Sequence, residues 1–197
     1  RADHLSLSPL LLESFLQLSQ SIVESYDFNE ENCGIWNDFF VGPSWVETTE
    51  HGIKERLRSF LTRAFRKPVE EFTLERYANY AFTQIESGVS FTGAMKQVAS
   101  AAISSPRFLY LYDRSTSDNT SEVVDDFELA SRLSFFLWGS IPDAELLDLA
   151  EAGQLTDREV LNQQVDRMLA DKKVKRFCDS FPSQWLQLER IISSVPD

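Results

Sequence analysis

The side chains able to do chemistry are few and scattered. His4 and His51 are the two histidines. A Ser-His-Asp or Cys-His arrangement would have to use one of them. His4 lies close to the first residue and His51 in a Thr- and Glu-rich stretch, settings that suit a surface histidine. Carboxylates are the richer source. Glu30, Glu31 and Asp38 share a segment with Trp36, Phe39, Phe40 and Trp45. Paired carboxylates in a pocket could act as general acid and base, as in glycoside hydrolysis, with indole rings as sugar platforms. The same residues also read as a solvated acidic loop whose aromatics, Trp36 and Trp45 included, are pinned to a core. Asp143, Glu145 and Asp148 stand where acids favour the positive end of a helix, without the spaced Asp/Asn/Gly pattern of a calcium loop. Arg132 sits among Leu129, Leu133, Phe136 and Leu137, four residues after Glu128. That spacing puts acid and base on one helix face, which suits an anchoring pair and leaves anion or substrate binding open.

No glycine-rich phosphate loop occurs among the seven glycines. Cys33 and Cys178 form no C-x-x-C or C-x-x-C-H, so this chain attaches no c-type haem through such a motif and has no Cys-rich zinc site. They read as two buried free thiols, or as a disulfide if the compartment is oxidising. No catalytic, cofactor-binding or metal-ligating residue is assigned. The candidate ligand or partner contacts are Trp36, Trp45, Arg132 and Trp138.

The elements that must position these residues are helices. Ser8 and Pro9 open a helix whose apolar residues Leu11, Leu12, Phe15, Leu16, Ile22, Val23 and Tyr26 follow helical spacing, with Ser19 a polar exception on the same face. Residues 27–52 form the longest irregular stretch. "IKERLRSFLTRAFRK" is a helix stopped by Pro68, Thr73 can cap the next, and Ser90 opens another. "RFLYLYD" reads as a final turn or an extended strut. "DRSTSDNTSE" is polar and divides the chain into 1–112 and 125–197, with 113–124 as linker. Beyond it, Asp125 with Glu128 and Thr156 with Glu159 form capping patterns, and Asp171 caps a helix broken by Pro182, after which "SQWLQLERII" trails to the end. The stretch "SFFLWGSIPDAELL" predicts a corner. Gly139 ends one helix, Pro142 and Asp143 start the next, and Phe136, Leu137 and Trp138 clamp it against Leu146, Leu147 and the "QWLQL" helix. The fold class is all-α, an orthogonal or bundle-like array of about seven to nine helices with no significant sheet.

Composition sets the outer bounds. Hydrophobic residues are 43% of the 197, with 15 Phe, enough for a sizeable core, and no run approaches the ~18 apolar residues of a membrane span. A net charge of −12 argues against nucleic acid and anionic membranes as partners. The start at Arg1, without Met, basic n-region or apolar run, reads as a piece of a longer polypeptide.

Longer stretches resemble known families. "AFRKPVEEFTLERY" and "GVSFTGAMKQVASAAISSPRFLYLYD" resemble domain-of-unknown-function family 1595, and "FELASRLSFFLWGSIPDAELLDLAEAGQLTDREVLNQQVDRMLADKKVKRFCDSFPSQWLQLERI" resembles family 1592. "LSLSPLLLESFL" is similar to the segment that precedes them. Both families occur in large proteins of planctomycetes and related bacteria, commonly alongside a cytochrome c module. The resemblance implies an extracytoplasmic location and a larger polypeptide, with any c-type haem outside this chain. It implies no catalytic residues. Family 1592 continues well past "QWLQLERI", and "ETTEHGIKERL" lacks the second Cys that the family region often carries before the basic helix. The resulting expectation is a non-catalytic module in contact with the remainder of its polypeptide or a redox module. The alternatives are part of an oxidative or glycan-active enzyme, or a carbohydrate-binding module using Trp36 and Trp45.

Overall fold

A computed structural model describes residues 8–42, 50–110 and 124–186. The chain divides into two compact units, Arg1–Asp113 and Arg114–Asp197. Among the described residues both are built from helices, with no strand. The stretch expected as linker, 113–124, lies outside the described residues but for Val124.

The first unit contains α1 (Pro9–Glu24), a π-helical turn (Trp36–Phe40), α2 (Glu50–Phe65), α3 (Glu71–Glu86), α4 (Phe91–Ile103) and the single turn α5 (Pro106–Leu109). The Ser8 hydroxyl accepts from the Leu11 amide at 3.2 Å and Ser90 from the Gly93 amide at 3.1 Å, satisfying first-turn donors that the helices themselves cannot. α3 starts at Glu71, so Thr73 lies buried inside the helix and not at its cap. Helix α4 touches every other element of the unit. Its buried residues include Ala94, Ala99, Ser100 and Ala102, whose small side chains let neighbouring backbones approach closely. Ser19 of α1 is a polar residue on an apolar face because its hydroxyl meets Ser100 Oγ at 2.8 Å. Leu57, Leu61, Leu74, Met95 and Val98 fill the middle, each removed from water at a gain of roughly 1.5–3 kcal/mol for the larger side chains.

The second unit contains α6 (Asp126–Trp138), α7 (Ala144–Glu151), α8 (Arg158–Ala170), a 3-10 turn (Lys172–Val174) and α9 (Lys175–Trp185). Asp125 caps α6 and accepts from the Glu128 amide at 2.7 Å. The cap of α8 is Asp157, one residue after Thr156, and its carboxylate accepts from the Glu159 and Val160 amides. Asp171 caps the 3-10 turn, and Pro182 lies inside α9 without breaking it. The core here is Ala130, Leu137, Trp138, Leu146, Ala150, Leu155 and Met168. Helix α6 is its hub and packs on α7, α8, the 3-10 turn and α9.

Candidate functional site

The corner between α6 and α7 gathers side-chain hydrogen bonds from α8 and α9. Gly139 ends α6 with φ +57°, the left-handed geometry that a residue with a Cβ adopts only with strain. The helix after it begins at Ala144. Pro142 therefore precedes the cap and does not occupy the first helical position, and Asp143 is the cap, accepting from the Leu146 amide at 3.1 Å. Its two oxygens also receive the Arg167 guanidinium at 2.7 and 3.2 Å. Burial opposes ionisation of Asp143, but the bonds from Arg167 and Leu146 outweigh it and hold the carboxyl below its usual range. The network continues from Arg167 Nε to Gln164 Oε1 and from Gln164 Nε2 to Glu145 Oε1, each 2.8 Å.

Trp138 lies under this network with no exposure to water. Its indole N–H donates to the Met168 carbonyl at 3.0 Å. The Arg167 guanidinium stands 5.5 Å from the ring centroid and the Lys173 ammonium 4.2 Å, both over the ring. Arg176 donates to the Trp138 carbonyl at 3.1 Å, capping the end of α6. The side chains of Trp138, Gln164, Arg167 and Arg176 each bond to another element of the unit. Arg132, also on α6, is half-exposed and pairs with Glu128 through its guanidinium, as the four-residue spacing predicts.

In the first unit the aromatic segment folds onto α4. The π-helical turn closes through a bond from the Val41 amide to the Trp36 carbonyl, and Thr92 of α4 donates to the Phe40 carbonyl at 2.7 Å. Phe39 and Phe40 are buried. Trp36 is half-buried. Phe28 packs edge-on at 6.0 Å, Phe40 lies tilted at 5.4 Å, and the Lys96 ammonium is 5.4 Å from its ring centroid. The indole is a wall of the core with neighbours on its ring. Glu30, Glu31 and Asp38 are exposed, and Glu30 accepts from Asn37 at 3.2 Å. His51 is exposed at the start of α2. Trp45 and His4 lie outside the described residues. No group of three His, Cys, Asp or Glu among the described residues is placed to hold a metal ion. Both cysteines are free thiols. Cys33 is half-buried, whereas Cys178 is exposed, against the expectation of two buried thiols, because it lies on a face of α9 that no described element covers.

Two features went unread in the sequence. The first is Arg66, buried and left-handed at φ +61°, whose guanidinium donates to the carbonyls of Arg107, Phe108 and Tyr110. The second is an aromatic ladder on α9. Phe177, Phe181 and Trp185 recur every four residues, the spacing that stacks side chains on one helix face. Their rings lie nearly parallel, with centroids 4.8 and 5.9 Å apart. Phe136 joins them from α6, 5.0 Å from Phe177 and 5.6 Å from Phe181, so it leans on α9, the helix that holds the start of the "QWLQL" stretch named in the corner reading. The ladder is open to water at Trp185 (72%), Phe136 (55%) and Phe181 (37%), and Leu186 beside it is 55% exposed. Stacked rungs cover one another's faces, so the ladder offers mainly ring edges sideways. That suits interdigitation with another side-chain row better than stacking under a sugar.

Two family models match the chain. The family described as "PSD5: Protein of unknown function (DUF1595)" matches residues 53–113, and the one described as "PSD4: Protein of unknown function (DUF1592)" matches residues 124–197. Both resemblances drawn from the quoted stretches are therefore found. No curated protein and no solved structure matches the chain.

Proposed function

We propose that this chain is a non-catalytic, all-α module of a larger exported bacterial protein, in contact with the remainder of that polypeptide beside a c-type cytochrome module. The observation that carries the reading is the exposed aromatic ladder. Phe181 and Trp185 of α9, Leu186 just after it and Phe136 of α6 are the exposed apolar residues of this surface. Surfaces of that kind on a folded unit mark contact sites. Cys178, Ser180, Pro182 and Gln184 of α9 flank the rungs and are uncharged, while Arg176 precedes Phe177 and Arg132 stands one turn before Phe136. Exposed rings beside a partly neutral, partly basic rim suit a polypeptide partner. No helix among the described residues is long and apolar enough to cross a membrane. The occupant we assign is the remainder of the same polypeptide, which the family resemblance leads one to expect beyond "QWLQLERI".

The test compares Trp185→Asp in this chain and in the whole protein. Here it removes one stacked ring from an exposed position, a loss of about 1 kcal/mol. In the whole protein the carboxylate would face an apolar partner, and its burial would cost several times as much. Equal destabilisation in both overturns the contact reading. An absorption spectrum of the whole protein without haem bands overturns the cytochrome part and leaves the contact part standing.

A further inference from the structure

We propose that α1 carries a self-complementary apolar stripe, Leu11, Phe15, Leu18 and Ile22, along which two copies of this chain pair antiparallel. α1 rests on α4 through Ser19, whose hydroxyl meets Ser100, and Val23 joins the core of the unit. Those two are the buried residues of the helix. At 3.6 residues per turn, Leu11, Phe15, Leu18 and Ile22 fall on the edge of the helix beside that contact. Leu11 is 44% exposed, Leu18 56% and Ile22 45%, and Phe15 is half-buried. A row of apolar side chains stepping by four, three and four residues is the seam of a helix pair, and here it is open to water.

The occupant is a second copy because the spacing reads the same from either end. With a two-fold axis midway between Phe15 and Leu18, Leu11 meets the second copy's Ile22 and Phe15 meets its Leu18. Each pair then occurs twice, as an isologous interface requires. Charge selects the antiparallel direction. The charged residues of α1 are Glu13 and Glu24, both on the side of the helix away from the stripe. In the antiparallel pair Glu13 stands level with Gln20 and Glu24 with Pro9, whereas a parallel pair sets each glutamate level with its own copy. Ser14 and Ser21 border the stripe and donate to the Leu10 and Gln17 carbonyls of their own helix, both at 2.9 Å. Their hydroxyls can therefore be covered without leaving a donor unpaired. The seam from Leu11 to Ile22 is about 16 Å long, which buries less area than a permanent dimer needs, so the pairing is reversible.

Sedimentation equilibrium of this chain, from about 1 μM to about 1 mM, should show monomer and dimer in exchange. Leu18→Glu changes an exposed position and brings one carboxylate from each copy into the seam, so association should weaken at least about tenfold. A chain that stays monomeric throughout overturns the proposal. A dimer that Leu18→Glu spares belongs to another face and overturns it too. Cysteines read the direction. With Cys33 and Cys178 replaced by Ser, Leu11→Cys and Ile22→Cys chains are mixed in equal amounts and oxidised. They should join to each other and not to themselves, because like positions lie about 16 Å apart along the pair and a disulfide spans Cα atoms no more than about 7 Å apart. Variants that each join chiefly to themselves overturn the antiparallel pair.

Discussion

Removing Trp138 measures the α6–α7 corner as a structural joint. The side chain is fully buried, and three different contacts act on it: packed volume, the 3.0 Å bond to Met168 O, and two cations over the ring. Trp138→Ala removes all three at a cost of about 3–5 kcal/mol. Trp138→Phe keeps a ring for the cations and most of the volume. It loses the indole donor, worth about 0.5–1.5 kcal/mol. The Met168 carbonyl still receives the Asp171 amide at 3.3 Å, so no buried acceptor is orphaned. With the lost part of the indole added, Trp138→Phe should cost about half of Trp138→Ala. For a unit of this size each kcal/mol shifts the melting temperature by about 4–8 °C, so the alanine variant should melt at least about 12 °C lower. Far-UV circular dichroism gives the melt, and hydrogen exchange in α7 and α8 assigns it to the second unit. Melting within about 2 °C of wild type for Trp138→Ala would refute the joint and reopen Trp138 with Arg132 as a binding pair.

The other consequences concern the same corner. Gly139→Val should destabilise by about 2 kcal/mol or more in a urea titration, through the backbone and not through crowding, since a Cβ there would meet nothing closer than Arg176 Cδ at 3.8 Å. Gly139→Asn should recover much of the loss, because asparagine tolerates the left-handed region. Asp143 has its folded-state pKa depressed by Arg167 and Leu146, so its contribution is present above its unfolded value of about 3.9 and disappears as pH falls through the lower, folded one. Urea midpoints of Asp143→Asn against wild type should therefore differ at pH 7 and converge below pH 3, and a gap that persists in acid would contradict the ion pair's role.

The helical class was legible because independent signals agreed. The Ser8, Ser90 and Asp125 caps stand where their side-chain chemistry puts them, and the apolar spacing between them is helical. Cap positions one to three residues off have a common cause. Asp157 and Thr156 are both good caps on paper, and only the orientation of the chain decides which oxygen meets the amides. Pro182 removes one donor from α9, but the Phe177–Phe181–Trp185 stack runs past it and braces the helix on both sides. Phe135, Phe136 and Leu137 are adjacent apolar residues, so periodicity alone could not say which of them meets α9 and which meets α7. Arg66 was invisible, because a helix end in that geometry announces itself by glycine, and the carbonyls that hold the arginine come from more than forty residues later. Among the candidate contacts, Trp36 and Trp138 are packed into separate cores, Arg132 is paired with Glu128, and Trp45 lies outside the described residues.

The contact reading stands most directly on whether the α9 face is covered in the whole protein. Cys178 is exposed and sits beside the ladder, between Phe177 and Phe181 in the chain, so its thiol reports on that face. With Cys33 replaced by Ser, and any cysteine outside this chain distinguished by mass mapping, the rate of Cys178 alkylation should be read in this chain and in the whole protein. The contact reading predicts fast alkylation here and at least about tenfold slower alkylation there. Equal rates in both would mean that the ladder stays open to water, and the proposed contact would be wrong.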